Sequence, residues 1–172
     1  MTIVHRCPVL FLLAAGLALA AGCPTTDDTV CPPLDELGSG EVSATVDGNQ
    51  WSATDGSWFW SGTSVQVITG SQDGWRLSMV GRMSAEGQIL RDAVDGGFPV
   101  EIPLTTGLDG GWVLLYPDSG DSFASENAVG GSWFITAIEG ADLRGCFSAE
   151  VSDGDRTFTI DDAILDVPQT SL

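Results

Sequence analysis

The residues able to do chemistry in this chain are almost all carboxylates. Twenty-four Asp and Glu stand against six basic residues, every one an arginine, and His5 is the single histidine. With no lysine, a Schiff base and a phosphate-loop lysine are both excluded. A lone histidine at position 5, ahead of a long apolar run, leaves no material in the rest of the chain for a Ser-His-Asp triad, a Cys-His pair or a histidine-bound zinc or iron. What survives is chemistry that carboxylates can do alone, such as the acid and base of a glycosidase. The spacing of the carboxylates singles out no two of them. Aspartates in "PDSGDS" (117–122) and "SDGDRT" (152–157) offer hard oxygen ligands, but neither stretch fits the calcium-loop pattern. Asp and Gly are also the ordinary residues of turns, so no catalytic residue, metal site or cofactor is expected.

The other reactive groups are thiols, and Cys23 is the most telling. It sits where an apolar run stops and "CPTTDD" begins. Residues 1–8 carry Arg6, residues 9–21 are apolar, and Ala20, Ala21 and Gly22 are small, which are the three parts of an export signal. About thirteen apolar residues at 1.5 Å each reach roughly 20 Å, short of the ~30 Å hydrocarbon core, so the segment is a poor membrane span. Ala20-Ala21-Gly22-Cys23 resembles the lipobox of bacterial lipoproteins, with Ala20 where that family prefers leucine. The resemblance implies cleavage after residue 22, acylation of the Cys23 sulfur, and a home in the cell envelope. The protein would then be lipid-anchored to a membrane, the outer one if the organism has one, and face the periplasm or the exterior. Two or more acyl chains make a stable anchor where one is marginal.

Cleavage there would remove His5 and Arg6 and leave five arginines against all twenty-four acids. Such a surface repels phosphate and anionic head groups, which excludes nucleic acid as a partner. Cys31 and Cys146 would remain beside Cys23, and in an oxidising compartment such a pair is expected to be bonded rather than to hold a metal. Along "LRGCFSAEV", Leu143, Phe147, Ala149 and Val151 share one face of a strand, with Arg144, Cys146, Ser148 and Glu150 on the other. Cys146 therefore points away from the apolar side, and Cys31 could reach it across the outside of a sheet.

These groups need a scaffold, and the chain writes one in period two. Residues 23–40, rich in Pro, Asp, Thr and Gly, read as a tether, and 41–172 as one domain. "EVSATV" alternates Val42, Ala44 and Val46 with Ser43 and Thr45, and Asp47-Gly48 signals a type I′ hairpin into "NQWSAT". "WRLSMVGRM" sets Trp75, Leu77, Met79 and Met83 against Arg76, Ser78 and Arg82. Further strands are expected at 57–61, 63–69, 98–104, 111–116, 132–139, 143–151, 157–160 and 163–167. A helical turn is expected only within 83–93, interrupted by Gly87. The fold class is all-β, an antiparallel sandwich or open barrel of about ten short strands.

"ATVDGNQWSAT" near the start of the domain and "ITAIEGADLRGCFSAEVSDGDRTFTIDDAILDV" near its end resemble a group of small bacterial lipoprotein domains of unknown function. That resemblance, over residues 41–54 and 134–167, implies the fold and the anchor and no site. The expected function is a non-catalytic binding or structural domain on a membrane-anchored envelope lipoprotein, with an envelope protein or a carbohydrate as the partner. The alternative is a carbohydrate-active protein, either a sugar-binding module or a carboxylate-pair glycosidase. "SWFWS" places Trp58 and Trp60 on one side of a strand, and a pair of exposed indoles could hold a sugar ring with Asp55 or Asp73 accepting hydroxyl bonds. The competing expectation is that all six tryptophans pack the interior.

Overall fold

The structure, a computed structural model, describes residues 31–34, 37–105, 110–117, 123–124 and 130–171. The chain runs β1 (Glu41–Val46), β2 (Asn49–Ala53), β3 (Ser57–Ser61), β4 (Ser64–Ile68), β5 (Trp75–Gly81), α1 (Leu90–Gly96), β6 (Val100–Pro103), β7 (Gly111–Pro117), β8 (Phe123–Ala124), β9 (Gly131–Glu139), β10 (Asp142–Ser152) and β11 (Thr157–Pro168). Every pairing between these strands is antiparallel. Six strands line up as β2-β1-β11-β10-β9-β6 and four as β3-β4-β5-β7. This is the all-β, antiparallel class expected from the sequence, in the sandwich rather than the open-barrel form.

Two short seams join the layers. At one end the two-residue β8 pairs with β10 through Ser152 and Ala124, and with β7 through Leu114 and Leu115. At the other, the chain leaving β11 meets β3, where the Thr170 N–H donates to the Trp58 carbonyl at 2.8 Å. Between the layers lie Val42, Ala44, Trp51, Trp58, Val65, Val67, Leu77, Met79, Val113, Leu115, Trp133, Ile135, Phe147, Ile160, Leu165 and Val167, all buried. Most are alternate residues of their strands, so the period-two pattern read from the sequence is the inward face.

Three elements differ from expectation. The helix lies at Leu90–Gly96, while residues 84–87 close a turn in which the Gly87 N–H donates to the Ser84 carbonyl. Gly87 takes φ 78°, a conformation glycine adopts freely and a helix cannot use. The strand expected from residue 98 begins at Val100, beyond Pro99, which has no N–H to give a ladder. The two strands expected at 157–160 and 163–167 are one, β11, broken in register at a bulge. Ile160 pairs with Ala149 and Ala163 with Phe147, so Asp161 and Asp162 together face the single residue Ser148.

Candidate functional site

Cys31 and Cys146 are joined, with Cα atoms 5.5 Å apart. Cys146 stands in register between Phe134 of β9 and Ile164 of β11, on the face turned away from Leu143, Phe147, Ala149 and Val151. The bridge thus lies across the outside of the six-stranded sheet, as strand parity requires. Cys23 and the segment before it lie outside the described residues, as do residues 118–122 of "PDSGDS".

Trp58 and Trp60 do not form a platform. Trp58 is 2% exposed, its indole N–H donates to the Ala141 carbonyl at 2.9 Å, and its ring is packed in the core. Trp60 is half-buried, with its ring at 76° to that of Trp58 and the Arg91 guanidinium 4.3 Å from its centre. A sugar needs an open, near-coplanar ring face, and neither condition holds. Packing is the physical reason: Trp58 lies in the core between the layers, and the Arg91 guanidinium covers the ring of Trp60. Asp55 is also occupied, accepting the Gly70 N–H at 2.9 Å.

Asp73 belongs to a different site. The β1–β2 and β4–β5 hairpins both turn on Asp-Gly, with Asp47 and Gly48 at φ 48° and 78°, and Asp73 and Gly74 at φ 51° and 80°. Positive φ at both central residues is the type I′ geometry that matches strand twist, and Asp-Gly supplies it at little steric cost. The turns come together at one end of the sandwich, where the Trp51 indole N–H donates to the Gln72 carbonyl at 3.0 Å. Between them opens a pocket of about 260 Å³ lined by Val46, Asp47, Asn49, Gln50, Trp51, Asp73, Trp75 and Phe158. Trp75 and Phe158 meet edge to face at 5.5 Å, and Phe158 meets Phe123 in the same way at 4.7 Å. Reading the sequence did not assemble this pocket. Its signal was present, because each Asp-Gly turn is followed within four residues by a tryptophan, but it takes the sheet order to bring the two together.

Two depressions of about twice that volume have other linings. A cleft of about 580 Å³ opens between the 84–88 turn, the end of α1 and the β6–β9 pair, with Glu86, Phe98, Glu101 and Phe134 in its walls. Phe98 is 39% exposed there, and Glu101 accepts the Ser132 hydroxyl at 2.9 Å. A groove of about 510 Å³ runs over β4, β5 and β7 beside Ile68, Arg76 and Tyr116.

Asp153 of "SDGDRT" serves its own turn. Asp153 accepts the backbone N–H groups of Asp155 and Arg156 at 3.0 and 2.8 Å and pairs with the Arg156 guanidinium at 2.9 Å. The two backbone donors, aided by the guanidinium, hold its carboxyl below the usual range. Among the described residues, no group of three or more His, Cys, Asp or Glu is placed to hold a metal ion. No protein family, curated protein or solved structure matches the chain.

Proposed function

We propose that this chain is a bacterial envelope lipoprotein, anchored to a membrane through acylated Cys23, whose β-domain is a non-catalytic binding module. The observation that carries the proposal is the bridge between Cys31 and Cys146. A disulfide persists in oxidising compartments, and this one fastens the chain to the domain only eight residues after Cys23. Eight residues reach about 28 Å at most, so an anchor at Cys23 would hold the six-stranded sheet close to the bilayer. The resemblance of residues 20–23 to a lipobox and the acidic composition, suited to a solvated domain that does not adhere to head groups, support the same reading.

Mass spectrometry of the native protein is expected to find Cys23 as the first residue, carrying a diacyl- or triacylglyceryl mass. Cys23→Ser is expected to move the protein from the membrane to the soluble fraction. An unlipidated chain starting elsewhere would refute the proposal.

A second reading, retention of a polysaccharide, is favoured by the 580 Å³ cleft, where the exposed Phe98 lies beside Glu86 and Glu101. Phe98→Ala is expected to abolish retention on a polysaccharide column while leaving the melting temperature nearly unchanged. Retention that survives the substitution counts against this cleft.

A further inference from the structure

The pocket between the two Asp-Gly hairpins combines three properties. Its walls are aromatic: Trp51, fixed by its bond to Gln72, lines it together with Trp75 and Phe158, which brace each other edge to face. Its rim carries the carboxylates Asp47 and Asp73, both exposed, one on each turn. Its lining holds no arginine. The arginines nearest in sequence are not among its lining residues. Arg76 alternates to the opposite face of β5 from Trp75, and Arg156 pairs with Asp153 while lying 4.9 Å over the Phe123 ring.

A ring face is electron-rich and attracts cations, and quaternary ammonium groups in particular are recognised by cages of aromatic walls. Within this molecule Arg82 over Trp112 and Arg91 over Trp60, at 4.4 and 4.3 Å, show the same attraction at work. Two carboxylates at the mouth add direct attraction for positive charge and oppose any anion. At about 260 Å³ the pocket falls just below the range usual for drug-sized ligands, which suits a compact head group better than an extended chain.

We infer that the pocket bounded by Trp51, Trp75, Phe158, Asp47 and Asp73 binds an alkylammonium cation. This inference rests on the reading of the domain as a binding module and supplies its ligand class. It is independent of the anchor, since acylation of Cys23 is read by mass and ligand binding by titration.

The test follows the indole N–H resonances of the isotope-labelled full chain during titration with choline chloride. Two controls run beside it: sodium chloride at equal ionic strength, and 3,3-dimethylbutan-1-ol, which has the shape of choline without its charge. Choline is expected to shift the Trp51 and Trp75 indoles saturably, with the neutral isostere at least tenfold weaker. The double variant Asp47→Asn, Asp73→Asn is expected to lose choline affinity tenfold or more at an unchanged melting temperature, because Asn-Gly makes the same type I′ turn. Equal binding of the isostere would make the pocket merely apolar and overturn the inference. So would a choline response no greater than that of sodium chloride, a double variant that binds as well as the parent, or saturation of the same indoles by cellobiose in place of choline.

Discussion

Trp58 and Trp60 stand two residues apart on one strand, yet one is core and the other a half-open lid. Their shared side was legible from alternation. Whether that side faced the interior was not, because what meets the Trp58 ring comes from elements remote in sequence, its indole N–H reaching the Ala141 carbonyl 83 residues away. Truncating Trp58 to alanine removes a fully enclosed ring and is expected to cost about 3–5 kcal/mol. At roughly 2–4 °C per kcal/mol, its melting temperature should fall by about 10 °C or more. Trp60→Ala, which loses only a partly buried ring and its contact with Arg91, is expected to lower it by clearly less. Thermal unfolding of the two variants decides, and equal losses would contradict the assigned burial. Asp153 gives a second expectation at this scale. Its folded pKa is lowered, so its contribution is present above the unfolded value and fades as pH falls through the folded one. Protection of the Asp155 and Arg156 amides, their exchange compared with a free chain at the same pH, should therefore fall in acid, below the ordinary carboxylate range, whereas Asp153→Ala should show low protection at every pH.

β11 shows how an element can be read correctly in composition and wrongly in continuity. The parity break at Asp161-Asp162 reads as a gap between two strands, but the flanking runs pair with the same neighbours, β1 and β10, on either side of a bulge. Asp162 sits at φ 49°, the irregularity that lets Ile160 and Ala163 both face inward. Deleting Asp161 and Asp162 together makes Ile160 and Ala163 adjacent, on opposite faces, and so turns either Ile160 or the set Ala163, Leu165 and Val167 outward. Loss of the cooperative unfolding transition is the expected result. Gly81, by contrast, looks like an incidental glycine at the end of β5. A Cβ there would lie 2.8–3.0 Å from the side chains of Ile102, Trp133 and Leu90. Gly81→Ala is expected to destabilise by about 1–3 kcal/mol in chemical denaturation, as overpacking does. β8 was not legible at all, since two residues are too few to carry a period.

At the scale of the whole molecule, the class was legible because abundant glycine turns and period-two runs admit little else, whereas the closing of the sandwich depends on pairings remote in sequence. The pairing of Cys31 with Cys146 was legible by elimination and parity; its place in the sheet order was not. Closing so long a loop stabilises by at most roughly 5 kcal/mol in the chain-entropy account, so Cys31→Ser is expected to lower stability by up to a few kcal/mol, measured as a shift of the denaturation midpoint. The bridge also has a mechanical meaning. Tension applied at Cys31 does not pull β1 from its neighbours β2 and β11; it passes through the two sulfurs directly into β10, in the middle of the six-stranded sheet. Chain between the cysteines bears no load, and only the stretch from Cys146 to Leu172 can be paid out. Held at Cys31 and Leu172 in an optical trap, the oxidised domain should therefore lengthen on rupture to about 90 Å of contour, and the reduced one to about 490 Å.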